Sequence, residues 1–402
     1  MGQRGHQGRP VPPRRRLRLP VAGRGLRPPG ARGDGLRHAH RHHDRLGARG
    51  GRRRRRADGR AGRRGGACGR HRARPRRGVD PPARGRTGSR RPLHLGGHGG
   101  SDRRGLEARV RVTAIIVNYN SAPDIFECLD SLRASDHPVE LVVVDNASSD
   151  GSVDQLAALD DVRLVRSARN VGFGGGVNLG VRTVDPDGAV LLVNPDATLA
   201  PDAVSHLVAT LEAHPLAAAV GPLVANPDGT VQPSKRIFPS WTQAAMHSTI
   251  GVFWPGNPGT RAYVCADAPE DRPSPVGWLS ASVLLIRADA FRDVGMFDER
   301  FFFYVEDLDL CRRFADAGKE LWFEPRAEAV HAWGGSTRKP TKQLWQHHTN
   351  LFRYVRKHTH GWRSAKLPIV ALGLSARFAL LFARMKLLRR RLPAHSGHAR
   401  KG

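Results

Sequence analysis

The residues of this 402-residue sequence that are best placed to do chemistry stand where apolar runs end. One such run, residues 190–193, stops at Asn194-Pro195-Asp196, and because proline cannot continue a central strand, the chain must turn there. Asp196 would then lie just past the carboxyl end of a strand, where open α/β sheets bind their ligands. A carboxylate in that place suits a divalent cation held against a diphosphate, since Mg²⁺ uses one or two carboxylates plus substrate phosphates. Taken alone, the three residues fit a simple turn equally well.

Four further side chains belong with this position. Asp145 also ends an apolar run, at the same expected edge, and can accept hydrogen bonds from a ribose or a pyrimidine imide. Glu306 and Asp307 open an amphipathic helix, and a desolvated carboxylate with a like-charged neighbour has a raised pKa that suits proton transfer from a hydroxyl. His331, in a glycine-flanked turn, can ligate a metal or bind phosphate. Each also has a structural reading, as a helix cap, a first-turn acid or a packed histidine.

The spacing of apolar runs predicts an α/β fold in which strands and helices alternate around a largely parallel sheet. The first half should contain strands at 112–117, 139–144, 162–165 and 190–193, with helices at 123–133, after 148–150, up to 184 and at 201–213. A glycine-rich turn at 172–176 should lead into the third helix and is a weak phosphate-binding signal. The second half should contain strands near 217–224, 230–237, 283–287 and 321–323, helices at 291–297, 306–317, 340–358 and 364–391, and a Pro/Gly-rich loop region at 239–275.

Positive charge is concentrated in the first quarter of the chain. Residues 1–108 contain 32 arginines, no lysine and six acidic residues, whereas residues 109–402 carry a surplus of only four positive charges. The first segment has too little apolar surface to offset the entropy of ordering, so it is predicted to be disordered. Three explanations remain for it: translated upstream DNA with the true start near Val110, a genuine disordered tail, or an arginine-rich arm for nucleic acid.

The last predicted helix mixes apolar residues with Arg377, Arg384 and Lys386. These charges should prevent the helix from crossing a bilayer, and a basic amphipathic helix lying on an anionic membrane surface is the natural alternative. Packing against the protein or at a homodimer interface is the structural reading. The expected domains are therefore a disordered segment at 1–108, a catalytic domain at 109–338 and a helical region at 339–402.

Six short motifs, taken in order, resemble glycosyltransferase family 2, and within it the bacterial rhamnosyltransferase-like members. The resemblance covers residues 112–360. It rests on Val-Asn-Tyr-Asn (117–120), Val-Asp-Asn-Ala-Ser-Ser-Asp-Gly (144–151), Asn-x-Gly-Phe-Gly-x-Gly-x-Asn (170–178), Asn-Pro-Asp (194–196), Tyr-Val-Glu-Asp-x-Asp-Leu (304–310) and His-x-x-Gly-Gly-Ser (331–336).

The resemblance implies a GT-A fold and an inverting transfer from a nucleoside diphosphate sugar, with Asp307 as the catalytic base. Glu306 would tune Asp307 or bind the acceptor. Asp196 stands where the family's D-x-D motif ends and would bind Mg²⁺ or Mn²⁺ together with His331; because Asn194 replaces the first acid of that motif, metal binding rests more heavily on Asp196. The implied nucleotide-sugar contacts are Asn118, Asn120, Asp145, Asn146, Asn170, Gly172, Asn178, Asn194 and Trp278. Ser280-Ala281 replaces the family's usual Gly-Ala pair, which weakens the assignment of Trp278.

We therefore expect a metal-dependent glycosyltransferase that moves a deoxysugar such as rhamnose from a dTDP- or UDP-sugar to a cell-envelope glycan or polyprenyl-linked acceptor. Such an enzyme would be cytoplasmic and peripheral at the inner face of the plasma membrane, with no nucleic-acid partner. Two alternatives are a nucleotidyltransferase on the same half-domain, which needs no counterpart of Asp307, and a nucleic-acid-binding protein that uses the arginine-rich arm. Nucleic-acid binding would depend on salt and disappear when residues 1–108 are deleted.

Overall fold

The structure is a computed structural model that describes residues 110–248, 250–254, 256–266, 271–332 and 340–391. The predictions for residues 1–108 and for the motif positions 333–336 lie outside the described residues.

The first half of the described chain forms the parallel part of a nine-stranded sheet. Four strands lie side by side in the order β3-β2-β1-β4, all parallel. β1, β4 and the last five residues of β2 are buried, whereas the edge strand β3 is mostly half-buried or exposed. Buried β-branched runs of this kind are typical of parallel strands covered on both faces. The strands are β1 (Val112–Asn118), β2 (Val139–Asp145), β3 (Val162–Arg166) and β4 (Ala189–Val193).

The second half of the sheet is mixed. After β4 the order continues β10-β6-β11-β5, with β10 antiparallel to both of its neighbours and β11 parallel to β6, while β8 pairs with β11. A separate two-stranded sheet joins β7 and β9. These strands are β5 (Ala197–Leu199), β6 (Ala217–Ala225), β7 (Lys235–Arg236), β8 (Ser274–Val276), β9 (Trp278–Leu279), β10 (Val283–Arg287) and β11 (Glu320–His331).

Ten α-helices are described, and they pack on the sheet or extend beyond it. They are α1 (Asp124–Arg133), α2 (Ser152–Ala157), α3 (Gly172–Val184), α4 (Ala203–Ala213), α5 (Trp241–Ser248), α6 (Pro258–Tyr263), α7 (Ala288–Asp293), α8 (Glu306–Asp316), α9 (Pro340–His358) and α10 (Leu367–Arg391). The α/β class and the sheet flanked by helices are confirmed, and each of the first four strands begins and ends within one residue of its expected bounds.

Four sequence expectations are wrong in detail. The glycines at 172–176 lie inside the first turns of α3 and not in a turn before it, because Gly172 already begins the helix. The expected strand at 230–237 shrinks to β7, and the 239–275 loop region contains α5 and α6. β11 runs twelve residues through Glu324-Pro325-Arg326, where a register shift lets it continue past the proline.

Helix α10 differs from the expected amphipathic surface helix. One face carries Ile369, Leu372, Leu380 and Leu387, which are 73%, 72%, 42% and 57% exposed. The opposite face, which includes Phe378 and Phe382, is also apolar, and Phe378 packs against Trp345 of α9. Residues 364–387 are long and apolar enough to cross a membrane by length and composition, with a mean hydropathy of 1.6, and that stretch is not buried by the rest of the described chain. The charges therefore do not exclude a membrane-embedded helix, contrary to the expectation from sequence.

Candidate active site

One cavity collects most of the side chains that the sequence singled out. Its volume is about 2130 Å³, several times that of a typical small-ligand pocket of roughly 300–1,000 Å³. Part of its wall is formed by the loops that follow β1, β2, β3 and β4, at the carboxyl edge of the parallel strands. The rest is formed by β7, β9 and helices α5, α8, α9 and α10. The cavity has room for two substrates side by side.

Asp196 and His331 meet in this wall. Asp196 follows β4 and His331 ends β11, and the backbone bond from Ala332 N–H to the Asp196 carbonyl oxygen (2.9 Å) fixes the two ends together. His331 Nε2 lies 3.1 Å from Asp196 Oδ1 and 3.2 Å from Asn194 Nδ2, while Nδ1 lies 3.3 Å from Gln232 Oε1. A proton on Nδ1 donates to Gln232 and leaves a lone pair on Nε2 toward Asp196.

Two such acceptor atoms repel each other unless a proton or a cation lies between them, so the pair fits a divalent cation. Both side chains are mostly buried but reach the cavity. Among the described residues no group of three or more His, Cys, Asp or Glu side chains could hold a metal on its own. The remaining ligands would have to be diphosphate oxygens and water, which is the usual arrangement for Mg²⁺.

Glu306 and Asp307 form the first turn of α8 and line the same cavity. Burial raises the pKa of Asp307, although the Leu308 N–H (2.8 Å) and the charge of Arg236 pull it partly back. Burial and the neighbouring Asp307 raise the pKa of Glu306 well above its ordinary value. Glu306 Oε2 is buried and has no hydrogen-bond partner among the described residues. Burial thus raises the pKa of both carboxyl groups, which favours proton uptake by this pair.

The loop that presents Asp307 has an unusual backbone. Tyr304 and Val305, directly before α8, have φ values of 68° and 75°, which β-branched and bulky residues rarely adopt. Asn350 of α9 is buried and donates from Nδ2 to the carbonyl oxygens of Phe303 (2.9 Å) and Tyr304 (3.2 Å). Strain of this kind persists only where the surroundings enforce it, and it clusters at functional sites. Asn350 therefore holds the backbone that presents Asp307.

The third carboxylate of α8 has a different environment. Asp309 is fully buried and pairs with Arg313 (2.9 Å), Lys357 (2.8 Å) and His358 (2.8 Å). Burial raises the pKa of Asp309, but the hydrogen bonds to His358 and Lys357 and the charge of Arg313 outweigh this effect. The pKa of Asp309 is therefore lowered overall. Asp309 fastens α8 to α9 and faces away from the chemistry.

The asparagines of the first three loops shape the opposite wall. Asn120 accepts from Ser149 N–H (2.7 Å), and Asn146 donates to the Gly172 carbonyl oxygen (2.9 Å). Asn170 accepts from Gly172 N–H (2.9 Å) and so begins α3. All three asparagines line the cavity. The loops are thus tied to one another before any ligand arrives.

Gly172 lies where this wall packs against residues 301–305, the segment before Asp307. Its φ is +81°, and a Cβ atom there would lie 2.2 Å from the carbonyl oxygen of Phe302. Phe173 N–H donates to the same oxygen (3.3 Å). Only glycine allows the start of α3 to approach the 301–305 segment so closely.

Three of the expected nucleotide contacts lie behind the cavity wall. Asn118 donates to Asp145, Ser148 and Ser152 and is fully buried. Asp145 accepts in addition from Ser148 N–H (3.1 Å). Asn178 bonds to Phe297 through both amide atoms and is likewise fully buried. Their direct contact with a nucleotide stays a prediction; in the structure they hold the loops that line the cavity.

Several cavity residues were not found from the sequence. Arg236 stacks on Trp278, with its guanidinium carbon 4.5 Å from the ring centroid, and lines the cavity together with Gln232, His347 and Arg377. Trp278 itself is buried at the wall, and its contact with a ligand stays a prediction. No local pattern distinguishes these residues, because they reach the site only through the packing of β7, α9 and α10. The bond from Gln232 to His331 is a tertiary contact of this kind.

Comparison with known proteins gives a consistent result. Residues 113–266 match the family model for glycosyl transferase family 2. The N-acetylglucosaminyl-diphospho-decaprenol L-rhamnosyltransferase of Mycobacterium tuberculosis (strain CDC 1551 / Oshkosh) is 37% identical over 290 residues, which span 69% of this chain and 94% of that protein. The rhamnosyltransferase WbbL of Escherichia coli (strain K12) is 26% identical over 61% of this chain and 93% of its own length. A solved mannosyltransferase from Pyrobaculum calidifontis, in complex with GDP-Man and Mn²⁺, aligns with a TM-score of 0.45 at 20% identity, over 71% of this chain and 82% of that one.

Proposed function

Because the chain belongs to glycosyltransferase family 2, we propose that it is an inverting rhamnosyltransferase acting on a lipid-linked sugar diphosphate. The observation that carries the proposal is the match along 94% of a rhamnosyltransferase with a diphospho-polyprenol acceptor. The donor is a nucleoside diphosphate-rhamnose, and the acceptor is an N-acetylglucosaminyl diphosphate on a long isoprenoid. The cavity volume, which exceeds what one nucleotide sugar needs, supports two substrates of this size.

Asp307 is the proposed base. Its carboxylate removes the proton from the acceptor hydroxyl as the hydroxyl oxygen bonds to the anomeric carbon. The bond from that carbon to the diphosphate oxygen breaks on the opposite face, so the anomeric configuration inverts. Burial, which raises the pKa of Asp307, brings its basicity closer to that needed for proton transfer at neutral pH. Glu306, held neutral beside it, adds no competing charge.

Asp196 and His331 are the proposed ligands of a divalent cation, Mg²⁺ or Mn²⁺. When bound, the cation stabilises the negative charge that develops on the leaving diphosphate. Gln232 fixes the ring of His331, and Asn194 faces the same nitrogen atom. The polar loops that carry Asn120, Asn146 and Asn170 surround the nucleotide and its sugar.

The outer face of α10 is the proposed membrane contact. It exposes Leu372, Leu380 and Leu387, and Trp362, just before the helix, is 76% exposed. Exposed apolar side chains with a tryptophan beside them favour the membrane interface. The same helix lines the active-site cavity through Ile369, Val370 and Leu374. A lipid-linked acceptor can therefore reach the base without leaving the membrane surface.

A panel of nucleotide sugars tests the proposal. The full-length protein is incubated with Mg²⁺ or Mn²⁺, each donor in turn and a short-chain N-acetylglucosaminyl diphosphate lipid, and the product is analysed by mass spectrometry and NMR. We expect one rhamnose donor to give an inverted product, and the activity to disappear with a chelator and in Asp196→Ala. A retained configuration, or nucleotidyl transfer in place of glycosyl transfer, would refute the mechanism.

A further inference from the structure

We propose that Arg236 and Arg377 form the subsite that binds the diphosphate of the acceptor, on the far side of Asp307 from the donor's diphosphate. The inference rests on the proposed function, which supplies the acceptor class, and it adds the residues that recognise that class. Both arginines line the active-site cavity, one from β7 and the other from α10.

The two arginines converge on the same group of side chains. The positive charges of both act on Tyr263, His247 and His347, whose titration they shift. Arg236 also acts on Asp307. The three rings line the same cavity as the two arginines. An acceptor whose hydroxyl meets Asp307 would have its diphosphate within this region.

The hydrogen-bonding capacity of both guanidinium groups is available to a ligand. The face of Arg236 stacks on Trp278 (4.5 Å) and approaches Tyr263 (6.0 Å), which holds the group by its face and, among the described residues, leaves its N–H edges free. Arg377 is half-buried, and its Nε has no hydrogen-bond partner in the part of the chain that the structure describes. A buried guanidinium without a partner is costly, and a diphosphate oxygen is the kind of acceptor that would satisfy it.

The nearby acidic and histidine side chains do not neutralise this charge. Burial, the neighbouring His348 and the charges of Arg377 and Arg236 lower the pKa of His347 to about 4, so its ring is neutral at physiological pH. Burial and Asp307 raise the pKa of Glu306, which removes a second possible countercharge. Arg236 acts on Asp307, and Arg377 adds a second positive charge to the same cavity. The acceptor end of the cavity thus has an unbalanced positive charge.

The apolar lining beside Arg377 fits the lipid that follows the diphosphate. Ile369, Val370 and Leu374 line the cavity from the same helix, one to two turns before Arg377. The outer face of that helix is apolar and exposed. A ligand whose charged group meets Arg377 can therefore lay its hydrocarbon chain along α10 toward the surface. A soluble sugar phosphate has no hydrocarbon chain that could pack against this lining.

Kinetics with a matched pair of acceptors test the subsite. One acceptor is N-acetylglucosaminyl diphosphate on a ten-carbon alkyl chain; the other is the same sugar joined to the same chain without the diphosphate. In Arg377→Gln and in Arg236→Gln we expect the KM for the first acceptor to rise roughly 10- to 100-fold, as for the loss of a charge-assisted hydrogen bond. In Arg377→Gln the KM for the donor and the turnover of the second acceptor should stay at wild-type values. Because Arg236 also acts on Asp307, the expected result for Arg236→Gln is a larger loss on the first acceptor than on the second. Arg384→Gln, an exposed arginine on the same helix, is the control and should change neither acceptor's KM.

Three results would overturn the inference. Equal losses on both acceptors would show that the arginines are only structural, and a rise in the KM for the donor would place them at the other diphosphate. If the second acceptor is not turned over, the Kd of the first acceptor is measured on the Asp307→Asn protein with and without Arg377→Gln. An unchanged Kd would contradict the subsite. If the wild type transfers no sugar to either acceptor and does not bind the first, the proposed function itself fails. Thermal unfolding of each variant shows whether it is folded, and each arginine tests the subsite independently of the other.

Discussion

The two walls of the active-site cavity are built in different ways. The donor wall consists of short loops at the carboxyl ends of parallel strands, tied together by Asn118, Asn120, Asn146 and Asn170. The acceptor wall consists of β7 and helices α5, α9 and α10, joined largely by ring contacts such as Tyr304–His347 and His348–Phe378. A hydrogen-bonded frame fixes one geometry, whereas ring and aliphatic packing tolerates repacking. The first wall is therefore the more rigid of the two, and the second can repack more easily around a different ligand.

Asp307 stands between the walls, and its replacement should have the largest effect. Asp307→Asn keeps the size of the side chain but removes the base, so kcat should fall by roughly 10²- to 10⁴-fold while the Kd for the donor changes little. The wild-type kcat should decline as the pH falls through the pKa of Asp307, which burial places above the ordinary aspartate range. Steady-state kinetics and donor titration would measure both quantities. Full activity in Asp307→Asn would mean that the base lies elsewhere.

Asp309 tests whether the acceptor wall depends on one ion-pair cluster. Asp309→Ala leaves Arg313, Lys357 and His358 without their shared carboxylate, and the free energy of unfolding at pH 7 should fall by about 3–5 kcal/mol. Because the folded-state pKa of Asp309 is lowered, its stabilisation is complete above the unfolded-state pKa and is lost as the pH falls through the folded-state pKa.

Denaturant unfolding at several pH values would follow the Asp309 effect, and the gap between variant and wild type should close in acid. Asp316→Asn, on the same helix, is the control. Asp316 is 53% exposed and pairs with Arg312 at 3.0 Å, so its loss should cost less than about 1 kcal/mol. Equal effects of the two replacements would contradict the special role of the buried cluster.

Asn350 tests the positioning of the base with a smaller effect. Asn350→Ala removes two hydrogen bonds to the 303–304 backbone, so the left-handed turn before α8 should relax and displace Asp307. We expect kcat to fall about 10- to 100-fold with an unchanged donor KM, since misplacement of about 1 Å is enough for such a loss. Thr349→Ala, the neighbouring exposed residue, should leave kcat unaltered. A rise in the donor KM in place of a fall in kcat would assign Asn350 to the donor wall.

The outer face of α10 should give the smallest effect on chemistry. Leu372→Glu combined with Leu387→Glu should reduce co-sedimentation with anionic vesicles several-fold, because two carboxylates replace exposed apolar contacts. Turnover of a short-chain soluble acceptor should change less than twofold. Leu216→Glu is the control for vesicle binding, because Leu216 is an exposed leucine directly before β6 and outside α10. Unchanged vesicle binding in the double variant would refute the membrane contact.

The donor wall could be predicted from the sequence, and the acceptor wall largely could not. Runs such as 112–117 and 139–144 are buried on both faces, so their apolar character and the Asn or Asp that ends them are visible locally. Arg236, Asn350 and Arg377 reach the cavity by tertiary packing, which local patterns do not encode. The start of helix α6 could have been predicted from the sequence. Asn257 is its N-cap and accepts a hydrogen bond from Thr260 N–H (2.9 Å), and Pro258 occupies the first helical position. The Glu324-Pro325-Arg326 sequence hid the length of β11, because its register shift interrupts the alternation.

The close approach of Gly172 to Phe302 has a consequence for recombination between relatives. The two residues lie 130 positions apart, yet the backbone oxygen of one occupies the space that a side chain of the other would need. Consider a chimera that takes residues 110–225 from one enzyme and the remainder from another. The start of α3 can pack against the 301–305 segment before Asp307 only if position 172 is a glycine. Crossovers in the 226–235 segment, with Gly172 retained, are therefore the natural places to exchange acceptor specificity while the donor stays the same.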